Sequence, residues 1–352
     1  MAYTTIKKPS DYFNTKLYTG NGSTQSVTGV GFQPDFAWIK NRTNVSGFGH
    51  RLLDSIREVT KELYSNANNA ENTITDSLTS FDTDGFSFGG NTGVNGSGDD
   101  YVAWNWLCNT SISQGVGYDA TATVKANLDT NMAIATYTGD GDTTSSRPLI
   151  DCGGILIDLI IYKRLDSTSN WCVQSRYGTT SSTSYHFRLN TTDAEINGTG
   201  TIGNFGSSGI RPRYTNANDG NNINSANYVA YVFGSKKGFS KIGTYTGNGN
   251  ADGTFVYTGM SPSFVLLKET SNANNWMLFD NKRSPFNLRD DFISPDISDA
   301  EYTGNANNRL DMLSNGFKIR GTGSATNRSG SNFIYMAFAE EPLVGDNPAT
   351  AR

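Results

Sequence analysis

The residues able to do chemistry in this chain are few and widely separated. His50 and His186 are its only histidines, so a hydrolase needing an imidazole beside a nucleophile has two starting points at most. Neither has a cysteine or acid at ligand spacing, which speaks against zinc. His50 falls in a slot that Trp171 and Trp276 fill elsewhere in the chain, which predicts a packed ring rather than a base. His186 lies in Tyr185-His186-Phe187-Arg188, an ordinary strand pattern. Cys108, Cys152 and Cys172 are odd in number and show no CxxC spacing. Buried free thiols are expected, with a Cys152–Cys172 disulfide as the alternative.

Other motifs carry less than they suggest. Gly198-Thr199-Gly200-Thr201-Ile202-Gly203 matches G-x-G-x-x-G, but the fingerprint binds a pyrophosphate only where a helix follows. Here Asn204-Phe205-Gly206-Ser207-Ser208-Gly209 follows, a poor helix start, so a turn is predicted. Asp82-Thr83-Asp84-Gly85 looks like the start of a calcium loop, yet the twelfth position holds Gly93 instead of an acid. Asp140-Gly141-Asp142 is equally short. The adjacent acids Asp99-Asp100, Asp290-Asp291 and Glu340-Glu341 would point to opposite faces of a strand, not across a glycosidic bond. Trp38, Trp104 and Trp106 sit within apolar runs and are expected in a core. A sugar site would fall in the Asn-rich loops 66–72, 216–227 or 304–308. The expectation is a non-enzyme with no catalytic or metal-binding residue and no cofactor, and no binding residue can be named.

The elements that would position any site are short strands. With 38 Gly, 19 Phe, 17 Tyr and 5 Trp at a net charge of −5, the chain is rich in turn formers and rings and poor in charge. Rings bury a large area each, whereas a disordered chain would lack them. No basic footprint for nucleic acid is present. No apolar run is long enough to cross a membrane, and the start MAYTTIKKPSDYF lacks an apolar leader stretch. Production in a cytoplasm without membrane insertion is expected.

One pattern occurs three times. Tyr-Thr-Gly followed by Asn or Asp and Gly opens at Tyr18, Tyr137 and Tyr245, 119 and 108 residues apart. An apolar strand ending in lysine follows: FAWIK (Phe36–Lys40), IDLIIYK (Ile157–Lys163), FVLLK (Phe264–Lys268). Next come a ring, an apolar stretch, an Asp or Gln and an Arg: His50–Arg57, Trp171–Arg176, Trp276–Arg283. A glycine turn then introduces DGFSF, SGIRP and NGFKI. Each copy closes with YVAWNW (Tyr101–Trp106), YVAYVF (Tyr228–Phe233) or IYMAFA (Ile334–Ala339). These closing strands are apolar on both faces and read as central.

Modules of about a hundred residues with several short strands fit two-sheet sandwiches. The predicted fold is all-β, with three consecutive sandwich modules. Residues 1–109 form module one with an N-terminal arm and 110–132 a linker. Residues 133–235 form module two, 239–342 module three, and 343–352 a tail. The spacing of Ile56, Val59, Leu63 and Tyr64 also allows a helix over Asp54–Ser65.

The stretches Asp11–Arg42, Leu78–Gly89, Phe333–Gly345 and Pro348–Arg352 resemble structural proteins of tailed, particularly marine, bacteriophages, usually labelled tail fibre or virion structural proteins. The resemblance covers most of modules one and three. Module two departs from it, with Asp151-Cys152-Gly153-Gly154 where the others have Gly-x-x-Pro. It implies repeated concanavalin-like or jelly-roll sandwiches and a non-enzymatic role in the virion. A tail fibre or fibre-like appendage for host attachment comes first, a capsid or neck decoration protein second, a carbohydrate-binding module third and a glycan-degrading tailspike fourth. Implied partners are other virion proteins and a host surface glycan, in a homo-oligomer that is usually a trimer.

Overall fold

The computed structural model describes residues 4–43, 48–144, 146–178, 185–197 and 209–342. It is an all-β sandwich fold whose sheets are antiparallel. Among the described residues helix is confined to single turns at Pro9–Asp11, Thr92–Asn95 and Ser324–Asn327.

The repeated opening explains itself locally. Its tyrosine stacks on the first ring of the closing strand: Tyr18 on Tyr101 at 5.0 Å, Tyr137 on Tyr228 at 5.3 Å, Tyr245 on Phe333 at 4.9 Å. Its hydroxyl donates to a carbonyl just upstream of that strand, of Val94, Asn221 or Thr326. The first glycine must lack a side chain, because a Cβ on Gly20, Gly139 or Gly247 would strike the carbonyl of Gly96, Ile223 or Arg328. The second supplies a positive φ of 72°, 75° or 70° at Gly22, Gly141 and Gly249. Buried amides of Asn95, Asn222 and Asn327 accept the N–H between the two glycines.

Each opening leads into the same strand order. In the first repeat the sheet runs Phe13–Thr19, Asp100–Trp106, Phe36–Asn41, Arg51–Asp54. In the second, Met132–Thr138, Asn227–Phe233, Leu159–Arg164 and Cys172–Ser175 are neighbours in that order. In the third, Ser240–Thr246, Asn332–Pro342, Met260–Glu269 and Met277–Asp280 are. A smaller sheet faces each. Gln25–Thr28, Gly85–Phe88 and Leu78–Asp82 make the first, Ile150–Asp151 and Gly209–Ile210 the second, and Phe255–Tyr257, Gly316–Ile319 and Leu310–Leu313 the third.

The larger sheets bury both faces. Tyr101 and Ala103 face their own smaller sheet, as do Tyr228, Ala230 and Val232, and Phe333, Tyr335 and Ala337. The alternate residues Val102, Trp104 and Trp106, with Val229, Tyr231 and Phe233 and with Ile334, Met336 and Phe338, belong to one shared core. Trp106, Phe233 and Phe338 occupy equivalent register positions, paired across the sheet with Phe36, Leu159 and Phe264. Their rings meet at 6.1, 5.5 and 6.0 Å, around a pseudo-threefold axis. The repeats therefore do not fold as three separate bodies in a row; they close into a ring around a common aromatic centre.

Several expectations change accordingly. The segment expected to link the first two modules pairs into the second sheet as Thr110–Ile112 and Thr123–Asn127, because Val124 and Ala126 have an apolar face to bury. No helix forms over 54–65. Asp54 caps a turn by accepting the Ile56 and Arg57 N–H, and the chain returns as a strand at Lys61–Glu62. By strand register the equivalent of Asp54 and Asp280 is Ser175, not Gln174, since these three stand opposite Phe36, Phe264 and Leu159. The N-terminal arm buries Ile6 in the shared core. The G-x-G-x-x-G stretch and residues 343–352 lie outside the described residues.

Candidate functional site

A group of buried polar residues lies at each of the three joints where one repeat meets its neighbour. The lysine that ends each second strand is buried, and its ammonium reaches into the adjoining repeat. Lys40 donates to Asn41 O and Phe48 O at 2.8 Å within its own repeat and to Ser298 O at 3.2 Å in the third. Lys163 donates to Arg164 O and Ser169 O at 2.9 Å and to Asn68 O of the first repeat at 3.3 Å. Lys268 donates to Asn274 O and, at 2.9 Å, to Thr192 O of the second. Burial lowers these lysines to about 8, 7 and 8 respectively. The contacts run one onto three, two onto one and three onto two, a head-to-tail arrangement that closes.

The ring slot seals the same joints. Trp171 Nε1 donates to Tyr64 O at 2.8 Å and Ala67 O at 3.1 Å, and Trp276 Nε1 donates to Arg188 O at 2.9 Å. His50 plays the same part with different chemistry. Its Nδ1 accepts from Trp38 Nε1 at 2.9 Å, so its Nε2 carries the proton and donates to Ser294 O at 3.1 Å. Burial, reinforced by Lys40, pushes its pKa well below the usual histidine value. A neutral imidazole with both nitrogens occupied and no nucleophile hydrogen-bonded to it is a packing element.

Two joints add a buried acid–base pair. Asp54 binds Arg57 Nε at 2.7 Å and accepts from Tyr231 OH at 2.8 Å. Asp280 binds Arg283 Nε at 2.6 Å and accepts from Trp104 Nε1 at 3.0 Å. Each arginine also pairs with a second acid, Glu71 or Glu301.

The remaining sequence candidates lie elsewhere. His186 is fully buried, with Nε2 3.8 Å from Asp219 and its ring 5.5 Å from Tyr214. Cys108, Cys152 and Cys172 are buried free thiols, and burial raises all three, Cys152 to about 12. All five tryptophans are buried in the shared core. Asp84 accepts the Gly29 and Gly31 N–H, and Asp140 binds Arg147 and Asn222. Among the described residues, no group of three or more acids, histidines or cysteines is placed to hold a metal ion. Of the Asn-rich loops, 66–72 is part of a joint through Ala67 and Asn68, and Asn221 and Asn222 are buried.

The model of a domain of unknown function, DUF7483, matches residues 8–342. The chain belongs to the DUF7483 family. No curated protein matches it. The DUF7483 span begins beside the Pro9–Asp11 turn and ends with the last closing strand, so one family unit takes in all three repeats. That agrees with a single ring whose parts share a core. No helix among the described residues is long and apolar enough to cross a membrane.

Two of the clefts among the described residues open on the DUF7483 surface. One of about 360 Å³ is lined by Glu71, Tyr137, Thr138, Asp166, Asn227 and Tyr228. Its carboxylates already hold Arg57 and Arg164, and Asn227 N donates to Asp166. The other, about 520 Å³, lies between Ser55–Ile56 and the strands at Thr110–Ile112 and Thr123–Asn127. Its Lys125 is bound to Asp35 at 3.0 Å.

Proposed function

We propose that this protein is a non-enzymatic structural component of a phage particle, a tail fibre or fibre-like appendage that contacts the host surface. The observation that carries the reading is the closed ring of joints. His50, the three lysines and the two Asp–Arg pairs at the joints are buried and committed to holding the repeats together. What such a body offers its surroundings is a surface of loops and outer sheet faces. The likeness of Asp11–Arg42 and Phe333–Gly345 to phage virion proteins supplies the particle context. In that setting the ring presents three related surfaces about one axis from a single chain, without needing partner copies.

Capsid or neck decoration is the second reading. It is favoured by the absence of a stalk among the described residues, whose longest strand is the 11 residues Asn332–Pro342. The test is immunogold labelling, with antibody to the full chain, of phage particles purified from a lysate of the producing cells. Label on the tail is the expected result, label on the head would transfer the assignment to decoration, and label confined to the particle-free fraction would overturn the virion role. Release of reducing ends from host polysaccharide by the purified protein would overturn the non-enzymatic reading.

A further inference from the structure

The smaller sheets of the first and third repeats have the same register but opposite outer faces. Val256 opposite Phe317 matches Val27 opposite Phe86, and both pairs point into their cores. On the outward side, Phe255 opposite Lys318 matches Ser26 opposite Ser87, and Tyr257 opposite Gly316 matches Thr28 opposite Gly85. The glycine is required in both sheets, since a Cβ on Gly316 or Gly85 would strike the carbonyl of Val256 or Val27. The aromatics are not required. In the first repeat their places are taken by a hydroxyl ladder, Ser26 to Ser87 at 2.8 Å and Ser87 to Asp82 at 2.6 Å. In the third, Tyr257 is 58% and Phe255 44% exposed, side by side on one face of the strand.

We infer that Phe255 and Tyr257, flanked by the bare Gly316, form a stacking platform for a pyranose oligosaccharide. A sugar ring presents an apolar C–H face to an aromatic and hydroxyls at its edge. The rim here supplies matching donors and acceptors. Lys318 and Asp252 pair at 2.5 Å and Arg320 lies 3.4 Å from Asp311, with Asp252 largely exposed. The size of the patch selects this ligand over a protein. Two rings of this kind bury roughly 150–250 Å² each when covered completely, so the exposed part is roughly 200 Å² together, against about 800 Å² per partner in a stable protein interface. The inference rests on the host-contact reading and names its site.

The experiment measures binding of the full chain to an immobilised panel of gluco-, galacto- and manno-configured oligosaccharides and their uronic acid forms. The wild type should bind at least one class. Phe255→Ser with Tyr257→Thr, which installs the first repeat's own residues, should weaken it by about tenfold or more with the melting temperature unchanged. The reciprocal Ser26→Phe with Thr28→Tyr should add a second site. No binding by the wild type, or equal binding by the Phe255/Tyr257 variant, would overturn the platform. Immunogold labelling of particles does not depend on these two side chains, so it can fail or succeed independently of the platform.

Discussion

At two of the three joints a buried aspartate binds a buried arginine and accepts from a ring donor of the neighbouring repeat, and the third joint lacks that network. Where the second repeat meets the first, Tyr231 donates to Asp54 and Arg57 closes the network. Where the first meets the third, Trp104, Asp280 and Arg283 repeat that arrangement almost atom for atom. Arg57 and Arg283 even reach the same backbone carbonyl, of Leu52 and Leu278. Where the third meets the second, the register places Met336 in the donor's position and Ser175 in the acid's. Arg176, the nearest arginine in sequence, turns outward to Asp158. Donor, acid and base are thus lost together. A buried ion pair contributes little net stability compared with apolar packing, but half of one is costly. The difference teaches that the pairs distinguish one joint from another rather than strengthen them. A surface carrying Asp54 needs a neighbour that brings a donor, and Met336 brings none.

The sharpest break is to remove one partner. Asp280→Ala leaves Arg283 fully buried beside only Glu301 and should cost about 3–5 kcal/mol, read as a fall in the urea midpoint. Asp54→Ala should behave alike, whereas Ser175→Ala at the equivalent position should stay within about 1 kcal/mol. A comparable loss at Ser175 would end the argument that the third joint works without an Asp–Arg pair. Trp276→Ala tests the ring slot in the joint that lacks the Asp–Arg pair. It removes a buried indole and its bond to Arg188 O, with an expected cost of about 3–5 kcal/mol.

A subtler contrast is one of volume. Trp38 stands at the register position of Ile161 and Leu266, and His50 in the slot of Trp171 and Trp276. The first joint has exchanged a large ring in one place for a large ring in the other. His50→Trp alone should overpack and cost about 1–3 kcal/mol, and Trp38→Leu alone should leave a cavity. The double variant should recover at least about 1 kcal/mol relative to their sum. Additive losses in equilibrium unfolding would mean that the two positions do not share space.

How much of this was legible depended on range. The openings could be read because their chemistry is local: a ring, a tight glycine and a positive-φ glycine within five residues. The closing strands read as apolar on both faces, and Val102, Trp104 and Trp106 do face away from Tyr101 and Ala103. What covers that second face is a long-range fact, so the ring and its three-ring centre were not visible. The lysine endings were conspicuous as a pattern, but their acceptors are backbone carbonyls, which carry no signature in side-chain identity. Matching Gln174 to the acids followed polarity where register decides. The helix expected over Asp54–Ser65 failed because Leu63 pairs back onto Leu52 and Lys61–Glu62 onto Asn72–Thr73, partners that helical spacing does not reveal. At the outer faces the Asn-rich loops drew attention, while Phe255 and Tyr257 stood out only once Ser26 and Thr28 were seen to hold the same places.

The smallest expected effect concerns acid. His50 is neutral in the folded chain, and burial holds its pKa well below the unfolded value of about 6.5. Below that value the unfolded chain binds a proton that the folded chain refuses, so this group's contribution is present above pH 6.5 and lost as pH falls. Its slope is at most about 1.4 kcal/mol per pH unit. Asp296, raised to about 7 by burial, has the opposite sign. Between about pH 4 and 7 the unfolded chain has released a proton that the folded one keeps, so stability falls as pH rises. The two can mask each other in the wild type. The measurement is therefore the difference in unfolding free energy between wild type and His50→Gln from pH 7 to 5. It should shift steadily in the variant's favour as pH falls. No such shift would mean that His50 takes up a proton in place, and that the joint between the first and third repeats is looser than its hydrogen bonds to Trp38 and Ser294 imply.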